Sequence, residues 1–293
     1  MSTIALRPSF VGAVRGEALK LSRQLSLWLT LAGGVVLLAV IVLAISGASN
    51  LKESLVANPT AWAYNMLEVF GTVFQIGSGI FLLIFGARLI AMEYSSGTIR
   101  ILYARGTGRL RLLLAKLFTL ALVGIVLFAG YVLVVGAILA LMILSLSGDF
   151  EGISQISNEF WSDLGRWAAV QGISMGMAIL LAAAASALGR SLAFAIAASL
   201  AFYPADNFLT ILEILAIRAT GHDQPWTAIS QYQLGPNLNV VLNLIEPAHR
   251  SRPAFAAPLA AVDATHALAV IGAFAVAFVA IALFRTLRPD VLE

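Results

Sequence analysis

Six long apolar runs divide this 293-residue chain and decide what it can fold into. Each run reaches the roughly 20 residues that a helix needs to cross the hydrocarbon core of a bilayer. Hydrophobic residues make up 60% of the chain and charged residues only 11%, whereas soluble domains carry about 25% charged residues. A soluble fold of this length has too little interior for so much apolar surface, so the sequence predicts an integral membrane protein.

The runs predict an all-α protein with six transmembrane helices, which form a single transmembrane domain over residues 1–293. Helices satisfy their own backbone hydrogen bonds inside hydrocarbon, and the short alternating pattern of barrel strands is absent. The third run is long enough that its helix is expected to tilt or to project from the membrane. The predicted spans are residues 27–47, 69–90, 112–146, 168–188, 191–217 and 265–284.

The basic residues predict the orientation of the bundle. Thirteen of the 18 lysines and arginines lie beside one set of predicted helix ends, and five lie beside the other. Because positive charge stays on the cytoplasmic side, both termini are expected in the cytoplasm. The first run is longer than the apolar part of a signal peptide and five more runs follow it, so we do not expect cleavage. We therefore predict a multi-pass protein of the cell membrane, either inner or plasma membrane.

The segment 8–25, which precedes the first span, predicts an amphipathic helix on the cytoplasmic surface. Its apolar residues recur at helical spacing and its basic residues lie away from that stripe. Two interpretations remain open, namely a membrane-surface anchor and a docking helix for a cytoplasmic subunit. The stripe consists of Phe10, Val14, Ala18, Leu21 and Leu25.

Between the second and third spans, residues 91–111 form the most charged stretch of the chain. Its glycines allow tight turns, and a basic amphipathic start to the third helix follows them. Anchoring by positive charge would explain the basic residues of this stretch. It does not explain Glu93 or the serine, glycine and threonine that come directly after it.

The same stretch resembles a known family of membrane proteins. Residues 93–100 read Glu-Tyr-Ser-Ser-Gly-Thr-Ile-Arg, residues 104–109 read Ala-Arg-Gly-Thr-Gly-Arg, and residues 114–116 read Leu-Ala-Lys. This order is similar to the loop between helices two and three of ABC type-2 exporter permeases. In that family an acidic residue, a Gly-Thr pair and a basic residue precede an arginine-bearing turn and an alanine-lysine at the helix start.

The resemblance implies a transmembrane permease subunit of an ATP-driven exporter. Such a chain would pair with a second copy or a homologous permease chain and with two ABC ATPase subunits, which would bind ATP and magnesium and drive transport. The cytoplasmic loop 91–111 would be the coupling loop, and the N-terminal helix would be an interface helix. The implied coupling residues are Glu93, Ser96, Gly97, Thr98, Arg100, Arg105 and Arg109, and the implied interface-helix residues are Arg15, Glu17, Lys20 and Arg23.

The chain carries no phosphate-binding loop of its own. Such a loop ends in Gly-Lys-Ser/Thr, but leucine or alanine precedes each of the three lysines. The chain has no cysteine, and its three histidines lack the paired spacing of a metal site. We therefore expect a transport subunit that is not an enzyme and binds no cofactor or metal. Its partners should be membrane lipid and the proteins named above, and not nucleic acid.

Polar residues inside the spans are candidates for a transport pathway, because burying them in a bilayer is costly. Asp206 in the fifth span either lines a transport cavity, or lies at headgroup level because the helix breaks near Pro204. Gln75 and Gln171 are further candidates, although such residues more often hydrogen-bond neighbouring helices.

Residues 218–264 are too polar to span and are predicted to form an extracytoplasmic loop. Within it, Leu238, Val241, Leu242 and Ile245 share one face. That pattern predicts a short helix between Pro236 and Pro247 that lies on the outer leaflet or dips into it.

Two other function classes fit the sequence less well. An ion- or proton-coupled secondary transporter is the alternative, but it favours several ionisable groups at the midplane, and only Asp206 comes close. A membrane enzyme would need a cluster of catalytic side chains at one interface, which the sequence lacks.

Overall fold

The computed structural model describes residues 9–47, 50–104, 108–245 and 255–288. Within these ranges 87% of the chain is helical and no strand occurs, which confirms the predicted all-α class. In chain order the helices are α1 (Phe10–Ser22), α2 (Leu25–Ser46), α3 (Leu51–Ala57), α4 (Pro59–Ser95), α5 (Thr98–Ala104), α6 (Arg109–Ser147), α7 (Glu151–Ser154), α8 (Asn158–Gly189), α9 (Leu192–Thr220), α10 (Trp226–Ser230), α11 (Leu234–Ile245) and α12 (Ala264–Leu287).

Six of these helices, namely α2, α4, α6, α8, α9 and α12, are long and apolar enough to cross a membrane. Each contains or overlaps one of the six predicted spans. The structure therefore supports a multi-pass membrane protein built from six spanning helices.

Two helices begin well before the apolar run that predicted them. α4 starts at Pro59 and α8 at Asn158, each about ten residues earlier than predicted from the limits of the apolar runs. Both starts are capped, since the Asn58 side chain accepts the Ala61 N–H and the Ser157 side chain accepts the Phe160 N–H. Beyond the apolar runs these extensions pack against each other.

The predicted coupling loop is largely helical. α4 continues to Ser95 and α5 occupies Thr98–Ala104, so only a tight turn separates the two helices. Gly97 takes the left-handed conformation at that turn, with φ of +70°, which glycine adopts without steric cost.

The centre of the bundle is the contact between α4 and α8. A Cβ added at Gly71 would lie 2.8 Å from Trp167 Nε1, and one added at Gly86 would lie 2.8 Å from the Ala182 Cβ. The two backbones therefore approach closely because these positions of α4 lack a side chain. By contrast, α2, α6 and α9 lie at the periphery with largely exposed apolar side chains, as lipid-facing helices do.

A helix does form where the outer loop predicted one, and it lies inside the bundle. α11 packs against α8, α9 and α12, and its Leu234 and Val241 are fully buried. α10 and α11 thus form a segment, residues 226–245, that dips back among the spanning helices.

Candidate functional site

Four charged side chains from three helices meet at the end of the bundle where α1 lies. Glu17 and Lys20 come from α1, Glu93 from the last turn of α4, and Lys116 from the start of α6. The Lys20 Nζ atom lies 2.7 Å from an oxygen of each glutamate. The Lys116 Nζ atom lies 2.8 Å from Glu17 Oε2 and 3.0 Å from Glu93 Oε2. We call this group of four residues the ion-pair cluster.

The ion-pair cluster is electrically neutral overall and mostly buried. Its two carboxylates face two ammonium groups, so no net charge is left inside the protein. Lys116 is 2% exposed, and its Nζ also donates a hydrogen bond to the Leu89 backbone oxygen at 2.7 Å. Lys20 differs, because its side chain is half exposed. Of the two lysines in the cluster, Lys116 is therefore the buried one.

The cluster ties α1 to α6. Glu17 and Lys20 stand one turn apart on α1, so both can reach the same partners. Next to them, Leu21 is buried in the main core, and the Phe10 ring packs on that of Phe118 with centroids 6.0 Å apart. α1 thus lies along α6 as part of the bundle.

The buried face of α1 differs from the predicted stripe. Ala18 is exposed, as is Leu25 at the start of α2, whereas Glu17 is buried. The reason is the counter-charge of Lys116, which makes a carboxylate favourable at a position that hydropathy assigns to the exposed face.

Two opposing effects act on the pKa of Lys20, which lies outside the spanning helices. Burial lowers the pKa, but the hydrogen bonds and negative charges of Glu17 and Glu93 raise it by more. The pKa of Lys20 therefore lies above its ordinary value, and this lysine is charged throughout the physiological range.

The residues after Glu93 lie on the surface. Ser96, Gly97 and Thr98 are exposed, and the Ser96 and Thr98 hydroxyl oxygens are 2.9 Å apart. Ser95 holds the neighbouring corner of the bundle, because its Oγ accepts the Leu192 N–H at the start of α9. Glu93 itself is buried in the ion-pair cluster, so it stabilises the exposed turn from the interior of the protein.

The other implied coupling and interface residues lie around this end of the bundle. Arg15 and Arg23 are exposed on or next to α1. Arg109 donates hydrogen bonds to the backbone oxygens of Leu287 and Arg288 at the end of α12. Arg105 lies outside the described residues, as does the side chain of Arg100, whose backbone belongs to α5.

The three candidate pathway residues lie on three different helices. Gln75 is half-buried on α4, and Gln171 is buried on α8 with its Oε1 atom unpartnered. Asp206 is the middle residue of α9, about 21 Å from either end of that helix at 1.5 Å per residue. Within the described part of the chain, no hydrogen bond joins Asp206 to either glutamine.

Asp206 and its neighbours hold the α10–α11 segment against α9. Pro204 lies inside α9 without breaking it. The Asp206 carboxylate accepts the Gly235 N–H in the first turn of α11, where backbone donors lack partners within the helix. Thr210 and Glu213 lie one and two turns further along α9, and both contact Gln233, which directly precedes α11. The Gln233 side chain accepts the Thr210 hydroxyl and donates to the Glu213 carboxylate, both at 2.7 Å.

Sequence reasoning missed Lys116 and Gln233 as structural centres of these two groups. Lys116 did carry a signal, because a lysine just inside a long apolar run needs a carboxylate partner. Gln233 carried none, since a glutamine in a polar loop gives no hint that the loop returns into the bundle.

The family model described as ABC-2 family transporter protein matches residues 13–206. The match covers more than half of the chain and includes all four members of the ion-pair cluster and the exposed turn. No curated protein and no solved structure matches the chain significantly. By this match and its six apolar spanning helices, the chain belongs to the ABC-2 family of membrane transporter proteins.

Proposed function

We propose that this chain is the permease subunit of an ATP-driven exporter of the cell membrane. It works as a dimer with a second copy or a homologous permease, and two separate ATPase subunits bind ATP and magnesium. Both termini and the ion-pair cluster lie on the cytoplasmic side. Family membership and the excess of basic residues at this end support the proposal.

The ion-pair cluster is the observation that carries the coupling mechanism. It joins α1, the end of α4 and the start of α6, and Ser95 adds the start of α9. The exposed turn at 96–98 and the exposed face of α1 therefore belong to one rigid unit. A partner that moves this surface displaces the ends of three spanning helices together.

The exposed face of this unit is basic. Arg15 and Arg23 make no ion pair with any residue that the structure describes. An ATPase subunit that docks here should present acidic side chains, because opposite charges steer and orient association. Glu93 acts indirectly, because its ion pairs fix the position of α1 relative to the turn.

Co-purification tests the proposal. The chain is purified in mild detergent from its native host, and the proteins that accompany it are identified by mass spectrometry. We expect a soluble protein with a nucleotide-binding loop. It should be lost from the double variant Arg15→Glu/Arg23→Glu and retained by Lys52→Glu, which reverses an exposed charge on α3 at the opposite end.

Transport assays complete the test. Glu93→Ala and Arg100→Ala should reduce transport and substrate-stimulated ATPase activity while membrane insertion stays normal. If no ATPase accompanies the chain and it transports under an ion gradient alone, the exporter proposal is wrong and the secondary-transporter alternative replaces it.

A further inference from the structure

A cavity of about 510 Å³, open along one side, lies between α9, α12 and the α10–α11 segment. Its volume falls within the range of roughly 300–1,000 Å³ that small-molecule sites occupy. The walls are mostly apolar and include Ile229, Tyr232 and Phe274, while Asp206 and Gln233 supply the polar groups. Most of this lining lies after residue 206, beyond the part of the chain that the family model matches.

Two carboxylates of α9 lie at this cavity without a paired cation, Asp206 in its wall and Glu213 behind Gln233. Asp206 and Glu213 are seven residues apart, on the same side of α9. Glu213 is 1% exposed and its Oε2 atom has no hydrogen-bond partner. Among the described residues, no lysine, arginine or histidine forms an ion pair with either carboxylate. His266, next to Tyr232, directs a ring nitrogen at the Gln231 backbone oxygen instead.

The contacts of Asp206 leave room for a ligand. Its Oδ2 atom accepts the Gly235 N–H, and its Oδ1 atom has no partner in the described part of the chain. The hydrogen bond fixes the carboxylate at the cavity wall and leaves its second oxygen open to a ligand. A carboxylate held at this depth without a paired cation is a suitable counter-ion for a positively charged ligand.

We infer that this cavity binds an organic cation, with Asp206 as its counter-ion and the rings of Tyr232 and Phe274 beside it. A carboxylate attracts the charge, aromatic faces stabilise it further, and the apolar walls accept hydrocarbon substituents. A small inorganic cation would leave those apolar walls unused. That the bound cation is the exporter's cargo rests on the proposed function. That the cavity binds the cation does not depend on it.

The test measures binding of tetraphenylphosphonium to the full chain in phosphatidylcholine nanodiscs, without ATP or any second protein. Triphenylphosphine oxide is the neutral comparison compound, and empty nanodiscs give the lipid background. Wild type should bind tetraphenylphosphonium saturably and in preference to the neutral compound.

Asp206→Asn keeps an oxygen for the Gly235 N–H and removes the charge, so it should weaken tetraphenylphosphonium binding at least about tenfold. The matched control is Asp263→Asn, because Asp263 also accepts a backbone N–H at a helix start but is exposed and lies outside the cavity. It should bind as wild type does. Ala228→Trp fills the cavity without changing its charge and should also abolish binding.

Equal affinity in wild type and Asp206→Asn overturns the inference, and so does a wild type that fails to prefer the cation. Each variant is first checked for an unchanged thermal midpoint, and Ala228→Trp gives an independent answer if Asp206→Asn does not fold. Because no ATPase takes part, failure here leaves the co-purification result intact, and loss of co-purification leaves the binding result intact.

Discussion

Replacing Lys116 by methionine tests whether the ion-pair cluster holds α1 on the bundle. Methionine keeps the length and packing of the lysine stem but removes the ammonium group. Glu17 and Glu93, which are 3% and 9% exposed, then share only Lys20. Removing one partner of a buried ion pair typically costs about 3–5 kcal/mol, because an uncompensated charge stays buried.

Lys20→Met is the matched comparison, since it removes the other ammonium group of the same cluster. The side chain of Lys20 is 48% exposed, whereas that of Lys116 is 3% exposed. Water can therefore replace part of the stabilisation that Lys20 gives to the two glutamates. We expect Lys20→Met to weaken the attachment of α1 to the bundle by about 1 kcal/mol or less. The two variants change the charge equally and differ in burial.

The assay measures local opening of α1. The chain has no cysteine, so Leu21→Cys introduces a single thiol at a position of α1 that is 2% exposed. Its rate of labelling by a water-soluble maleimide reports how often α1 leaves the bundle. Lys116→Met should accelerate labelling at least about 100-fold, and Lys20→Met only about fivefold, at about 1.4 kcal/mol per factor of ten. Equal acceleration by both variants would refute the burial argument.

Three further predictions concern other parts of the molecule. Gly86→Ala should cost about 1–3 kcal/mol and lower the thermal midpoint, whereas Gly77→Ala, on the same helix with no atom within 4 Å of its Cβ position, should not. Because its neighbouring glutamates raise the pKa of Lys20, its contribution is complete below 10.5 and is lost as pH rises through the raised value. Since that contribution is about 1 kcal/mol or less, spin labels at Ala18 and Leu122 should show only a small increase in the separated population, confined to that alkaline range, and a change near neutral pH would contradict this. Glu213→Gln should leave the thermal midpoint unchanged or raise it, since it removes an unpaired buried charge, and a large drop would show that the charge is needed.

Hydropathy located the spanning helices because the bilayer imposes a length and a composition on them. It failed at the starts of α4 and α8, where the helices continue past the apolar runs. In those extensions the Tyr64 hydroxyl donates to Asp163, which also pairs with Arg166 at 3.1 Å. Polar residues lowered the local hydropathy, but they pair with one another and stabilise the extended helices.

The candidate site was predictable only in part, because hydropathy and local motifs carry no information on contacts between distant segments. The resemblance pointed to Glu93 and to the N-terminal helix separately. That they meet depends on Lys116, which is 99 residues from Glu17 along the chain. The return of residues 226–245 into the bundle depends likewise on pairs such as Gln233 with Glu213, which neither segment reveals alone.

The two groups of carboxylates in this protein differ in one decisive respect. Glu17 and Glu93 face two lysines within 3.0 Å, so their charges are balanced by the chain itself and hold helices together. Asp206 lies at the middle of α9 and Glu213 two turns beyond it, and no described cation balances either of them. A buried carboxylate keeps its charge only where something compensates it, and the chain itself supplies that compensation only to the first group. A cation that binds at Asp206 would supply, as a ligand, the positive charge that Lys116 supplies to Glu17 as part of the chain.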